Sequence, residues 1–64
     1  MNWIKVEDRM PDCYIVVIAA FVGWNDIVFI RVLDYDPTHN EWSDHEGEIY
    51  TTVTHWAVIE KPKN

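Results

Sequence analysis

His55 is the residue of this chain best suited to acid–base or metal chemistry, because an imidazole gains a proton near neutral pH and binds metal ions. Nucleophilic catalysis would also need a hydroxyl or thiol activated beside it, and donors for an oxyanion. Ser43 and Cys13 supply such groups, but neither lies in a recognised nucleophile motif, and a cysteine at a buried strand entrance is inert. A lone histidine in a strand is most often a structural residue. We therefore predict that His55 belongs to the core, bonded to Asp8, Asp34 or a backbone carbonyl. We predict no catalytic residue and no enzymatic activity.

Six carboxylates form one acidic stretch, residues 34–48, which contains no lysine or arginine. They belong to Asp34, Asp36, Glu41, Asp44, Glu46 and Glu48. The stretch begins like a calcium-binding loop, but His39 and His45 occupy the loop positions that require glycine and glutamate. We therefore predict no metal site and no cofactor. The alternative, a metal-binding or hydrolytic protein that uses His55 with nearby carboxylates, stays open.

The net charge of −6 is concentrated in this acidic stretch, because the remaining carboxylates are balanced by the five lysines and arginines. This balance argues against direct binding to nucleic acid, which needs lysine and arginine to neutralise phosphates. A hairpin that displays carboxylates could instead face a basic groove on a partner protein, with fast and salt-sensitive association. The simpler interpretation is that the charge keeps a small, aromatic-rich protein soluble. Under the first interpretation, the six carboxylates are candidate partner-binding residues.

Four tryptophans provide the largest side chains of the protein. We predict that Trp3, Trp42 and Trp56 anchor the core, with each indole N–H bonded to a backbone carbonyl, since so small a domain has few other large groups to bury. Trp24 differs, because it lies in a predicted turn, where an exposed indole needs an explanation. Tryptophan is enriched among the residues that dominate protein–protein binding. Trp24 is therefore a further candidate for a partner-binding contact.

Strand-like segments separated by turn residues account for most of the chain. Residues 13–21 are β-branched, aromatic or small, which predicts a strand buried on both faces. After a short turn rich in glycine and asparagine, a second strand is predicted over residues 27–35. Its alternation places Val28, Ile30 and Val32 on one face.

A short third strand over residues 41–44 and a last strand over residues 50–59 complete the pattern, which ends at Pro62 because proline donates no ladder hydrogen bond. The sequence thus predicts an all-β fold, a small antiparallel meander of about four strands, with a partly open barrel as one form of it. The N-terminal segment with Trp3 and Ile4 would pack across this sheet or add an edge strand. We expect the whole chain, residues 1–64, to be a single small domain.

The length of the chain sets a narrow margin of stability. A chain of 64 residues buries only about 60% of the surface of its unfolded state. Its one cysteine cannot form an internal disulfide, so oligomerisation is the other common remedy, and a homodimer stays open. The N-terminus lacks a signal-peptide pattern, and the longest nearly apolar run, residues 13–24, is too short to span a bilayer. We expect a cytoplasmic protein that does not enter the membrane.

Two tryptophan motifs stand near the ends of the chain. The first is Trp3-Ile4-Lys5-Val6-Glu7-Asp8-Arg9-Met10-Pro11, and the second is Val53-Thr54-His55-Trp56. The chain resembles the Domain of Unknown Function 551 family, small proteins of tailed bacteriophages and prophages whose pattern has the same tryptophans at both ends. Met10 stands where the family usually has leucine, and Ala57 and Val58 replace methionine and proline. The resemblance implies an accessory module encoded by a phage or prophage. We therefore expect a non-enzymatic protein that binds a host or phage protein, and the acidic stretch would suit a partner with a basic surface.

Overall fold

The protein forms one antiparallel sheet of six strands, described over residues 2–60 by a computed structural model. The strands are β1 (Ile4–Lys5), β2 (Ile15–Val22), β3 (Val28–Asp36), β4 (Glu41–Ser43), β5 (Ile49–Tyr50) and β6 (Val53–Val58). They lie side by side in the order β1-β6-β2-β3-β4-β5, so the sheet is open and does not close into a barrel. The only helical element among the described residues is a 3₁₀ turn at Trp24–Asp26. The all-β antiparallel prediction is confirmed.

The number and order of the strands differ from the predicted meander of four. The segment predicted as a single last strand breaks at residues 51–52 into β5 and β6, which lie at opposite sides of the sheet. The N-terminal segment adds the edge strand β1, with Ile4 opposite Trp56, so β6 is enclosed between β1 and β2. The predicted stop at Pro62 lies outside the described residues. Within residues 2–60 we find no helix able to cross a bilayer.

One side of the sheet carries the hydrophobic core. Strand alternation directs the side chains of every second residue to this side, which we call the core face. Its buried members are Val17, Ala19, Phe21, Leu33, Tyr35, Trp42, Val53 and Trp56. The loop after β1 packs against it through Val6 and Met10, and the indole nitrogen of Trp56 donates to the Arg9 carbonyl at 2.9 Å. The N-terminal segment therefore both adds a strand and covers the core.

The opposite side of the sheet has no second layer among residues 2–60. Val16 in β2 and Val28, Ile30 and Val32 in β3 are between 48% and 61% exposed. The prediction that the first long strand is buried on both faces holds only in part, because on the outer side Val16 is exposed and Ile18 and Val22 are half-buried, whereas Ala20 is buried. The predicted alternation within the second strand matches the structure.

Trp3 also differs from its predicted place in the core, since it is 39% exposed. Ile4 contacts the core from β1, and successive side chains of an extended chain point to opposite faces, so the neighbouring indole turns away from the core. We call this uncovered side the open face and define it by Trp3, Val16, Ile18, Val28, Ile30 and Val32.

Candidate functional site

A tight turn between β2 and β3 displays Trp24 at its tip. The Gly23 N–H donates to the Ile27 carbonyl at 2.8 Å, and Asn25 and Asp26 have positive φ angles of 58° and 59°. Asparagine and aspartate tolerate this left-handed conformation better than most residues, which explains their place in the turn. Trp24 is 81% exposed. The structure therefore presents an indole to solvent at the end of the longest hairpin.

An aromatic notch of about 250 Å³ opens beside this tip on the core-face side. Its lining residues are Phe21, Gly23, Trp24, Phe29, Arg31, Glu48 and Tyr50. The Phe21 ring stacks on Phe29, with ring centroids 5.6 Å apart, and meets Tyr50 edge-on at 4.8 Å. The Arg31 guanidinium donates to the Tyr50 hydroxyl at 3.3 Å. The notch thus combines aromatic walls with one exposed cation and one exposed carboxylate.

Gly23 leaves room for this arrangement. A Cβ atom at that position would lie 2.5 Å from the Phe29 ring. Any larger residue would push the ring outward and disturb its stacking on Phe21. The glycine therefore serves the close approach of the Phe29 side chain.

The first part of β3 has an unpaired outer side. β4 pairs only with residues 34–36, and no described residue bonds to the outward backbone groups of residues 28–33, which we call the β3 edge. In a strand every second residue turns its N–H and C=O to the same side, so the β3 edge offers about three donors and three acceptors. Two of its side chains, Phe29 and Arg31, line the aromatic notch. The notch and the unpaired backbone are therefore one continuous surface.

Asp44 has an internal role within the acidic stretch. It is 8% exposed, and its carboxylate accepts hydrogen bonds from the Glu46 and Glu48 N–H groups at 2.9 and 3.0 Å and from the Tyr50 hydroxyl at 2.8 Å. The Glu48 N–H, the Tyr50 hydroxyl and the Glu46 N–H lower the pKa of Asp44. This carboxylate organises the turn between β4 and β5. It is not available to a partner, in contrast to its predicted place on a binding surface.

Two further carboxylates of the acidic stretch have partners within the chain. Asp36 accepts from the His39 ring at 2.8 Å and from the Thr38 N–H at 2.9 Å; both bonds lower the pKa of Asp36, and the bond with Asp36 raises the pKa of His39. Asp34 accepts from the Tyr14 hydroxyl at 3.2 Å, and its charge raises the pKa of Tyr14. Both carboxylates are half-buried.

The exposed carboxylates of the acidic stretch are Glu41, Glu46 and Glu48. Glu48 lines the aromatic notch together with Trp24. The structure therefore brings together one pair of the predicted partner-binding residues and leaves the other exposed carboxylates along the neighbouring hairpin.

His55 bonds to a neighbour in its own strand and to none of its predicted partners. Its Nδ1 lies 2.9 Å from the Thr54 hydroxyl, and the ring is half-buried opposite Ala20 of β2. Ser43 lies on β4, with β2 and β3 between it and β6, so the two side chains are roughly 14 Å apart across the sheet. Cys13 is exposed just before β2, because the predicted buried strand begins two residues later.

Residues 2–60 contain no group of three or more histidine, cysteine, aspartate or glutamate side chains arranged to hold a metal ion.

The family model described as Protein of unknown function (DUF551) matches residues 2–63, which is nearly the whole chain. The chain belongs to the DUF551 family. No curated protein and no solved structure matches it. The resemblance predicted from the two tryptophan motifs is confirmed.

Sequence reasoning missed the two most distinctive features of this DUF551 protein. The aromatic notch combines residues from β2, β3, β5 and two turns, and the strand pattern alone does not bring these segments together. The β3 edge depends on how far β4 runs beside β3, which is set by the bend at Asp44. A sequence signal existed only for Trp24, through its position in a turn. The short spacing between the turns at residues 36–40 and 44–48 was the only hint that β4 would be brief.

Proposed function

We propose that this DUF551 protein is a phage- or prophage-encoded interaction module that acts in the host cytoplasm and binds a host or phage protein, without enzymatic activity. The observation that supports this proposal most strongly is the continuity of the aromatic notch with the β3 edge. Exposed tryptophan, arginine and tyrosine are the residue types that most often dominate binding energy at protein interfaces. All three line this one notch.

The unpaired backbone of the β3 edge defines the conformation of the partner. An extended segment that pairs with a sheet edge gains main-chain hydrogen bonds, while alternate side chains enter pockets beside the strand. The β3 edge is six residues long, enough for such a segment, and the notch accepts one large side chain from it. The partner is therefore expected to contribute an extended segment with an aromatic or aliphatic residue at the notch.

The charge around the notch defines the chemistry of that segment. Glu48 borders the notch together with Arg31, Glu46 and Glu41 are exposed on the hairpin beyond it, and the acidic stretch that forms this hairpin contains no lysine or arginine. Opposite charges on the partner would speed association and set its orientation. We expect lysine or arginine beside the apolar residue of the bound segment. Binding should then weaken as salt is added, because exposed charges are screened.

Affinity capture from host lysate, with the full chain as bait, tests this proposal. Trp24→Ala should weaken binding of the captured partner about 30-fold, the effect of losing a dominant interface residue. Glu48→Gln should weaken it a few-fold and reduce its dependence on salt. Hydrogen exchange on the complex should show new protection of the amides within residues 28–33.

Two matched variants serve as controls. Val58→Ala truncates another exposed apolar side chain, and Glu7→Gln removes an exposed carboxylate outside the acidic stretch. Both should bind like the natural chain. Capture that is equally strong with Trp24→Ala, or a complex that leaves the amides of the β3 edge unprotected, would rule out this mode of binding.

A further inference from the structure

The open face is an apolar surface of the size that a protein interface requires. Five of its six side chains are between 39% and 61% exposed. Together these side chains offer on the order of 500 Å² of apolar area, so two stacked copies would bury about 1,000 Å² in total. A biological interface is expected to bury at least about 1,000 Å² in total. Two open faces stacked on each other would therefore reach the lower limit for a specific interface.

Polar groups flank the apolar centre of the open face, since His55 of β6 lies beside Ala20 and Lys5 of β1 lies beside His55. The cross-strand pairs at its centre are Ile18 with Val32, Ala20 with Ile30, and Val22 with Val28. Asp34 borders the face at one end and already accepts a hydrogen bond from Tyr14. A second apolar face could stack on this centre without burying an unpaired charge. Three carboxylates of the acidic stretch, Asp34, Asp36 and Glu41, lie on the same side of the sheet beyond this centre, toward β4.

The face is also complementary to itself. The sheet has three strands on each side of the line between β2 and β3, so a two-fold axis along that line would place β3 of one copy over β2 of the other. In this arrangement Ile30 lies over Ala20 of the second copy, and Val32 lies over Ile18. Ala20 is small and nearly buried between its neighbours, whereas Ile30 is 58% exposed, so a ridge meets a depression.

From this geometry we propose that two copies of the chain stack their open faces to form a two-layer β-sandwich. Sheets packed in this way lie about 10 Å apart with strands within about 30° of each other. The β3 edge and the aromatic notch stay outside this interface, because they use the outer backbone of β3 and the core face. The dimer therefore goes beyond the proposed function and does not depend on it.

Sedimentation velocity of the full chain over a range of concentrations tests the dimer. We expect a dimer that persists in about 1 M sodium chloride, since apolar burial is not screened. Ile30→Lys should raise the dissociation constant at least about 30-fold, because it places a charge at the centre of the interface. Val32→Thr keeps the β-branched shape and should raise it about tenfold. Both positions are exposed in the single chain, so the variants should keep its circular dichroism spectrum.

Ile27→Lys is the matched control, because it adds the same charge at a half-exposed isoleucine in the turn before β3. It should dimerise like the natural chain, as should Trp24→Ala, which weakens only partner capture. Isotope-filtered NMR should show contacts between the methyl groups of Ile30 and Ala20 of different copies. A monomer at about 200 µM, an Ile30→Lys variant that dimerises as tightly as Ile27→Lys, or contacts between two copies of the β3 backbone would overturn the proposal.

Discussion

Trp56→Ala is expected to lower the free energy of unfolding by about 3–5 kcal/mol and to leave much of the chain unfolded at 25 °C. The side chain is 4% exposed and lies in the core face between β1 and β2. Its loss creates a cavity and leaves the Arg9 carbonyl without the indole donor now at 2.9 Å. Urea unfolding followed by far-ultraviolet circular dichroism measures the effect without relying on tryptophan fluorescence.

Trp24→Ala is the control for this prediction, because it removes the same atoms from an exposed site. Trp24 is 81% exposed, so its truncation should change the free energy of unfolding by less than about 0.5 kcal/mol. Trp56→Phe keeps part of the packing but not the donor, and should fall between the two. Equal stabilities of Trp56→Ala and Trp24→Ala would contradict the assignment of Trp56 to the core.

The long strands could be predicted because their side chains alternate with a period of two. β-branched and aromatic residues bounded by turn residues indicated both β2 and β3, and the alternation separated Val28, Ile30 and Val32 from Leu33. The place of Trp3 could not be predicted in the same way. A shift of one residue in register moves a side chain to the other face, and only the pairing of Ile4 with Trp56 fixes that register.

The candidate site was predictable only where a single residue carried the signal. Trp24 in a turn is exposed whatever the rest of the sheet does, so its position sufficed. The sequence could not show which carboxylates are structural and which are exposed to a partner, since Asp44 and Glu48 occur in the same acidic stretch. Their roles depend on the turn at residues 44–48, which folds the backbone around one carboxylate and directs the other to the notch. Local backbone geometry, rather than composition, decides between structural and exposed charge.

Asp44→Ala is expected to lower the melting temperature at neutral pH by about 10 °C, because three donors lose their acceptor. Two of these donors are backbone N–H groups of the β4–β5 turn, and the third is the Tyr50 hydroxyl, whose ring packs edge-on against Phe21. The change should therefore loosen β5 and the aromatic notch together. Thermal melts followed by circular dichroism measure the loss, and Glu46→Ala, at an exposed carboxylate nearby, should melt like the natural chain.

The pH dependence of this loss provides a separate check on its cause. The pKa of Asp44 is lowered below its ordinary value of 3.8 by the Glu48 N–H, the Tyr50 hydroxyl and the Glu46 N–H. A lowered pKa in the folded state contributes stability above about pH 3.8, and this contribution is lost as the pH falls through the folded pKa. The melting temperatures of the natural chain and Asp44→Asn should therefore converge once the pH falls below the pKa of Asp44 in the folded state. His39, whose pKa is raised by Asp36, acts in another window, since its contribution is present below its ordinary pKa of 6.5 and is lost as the pH rises through the raised value. A difference between the natural chain and Asp44→Asn that stays constant from neutral pH into acid would show that the carboxylate charge is not what the turn binds.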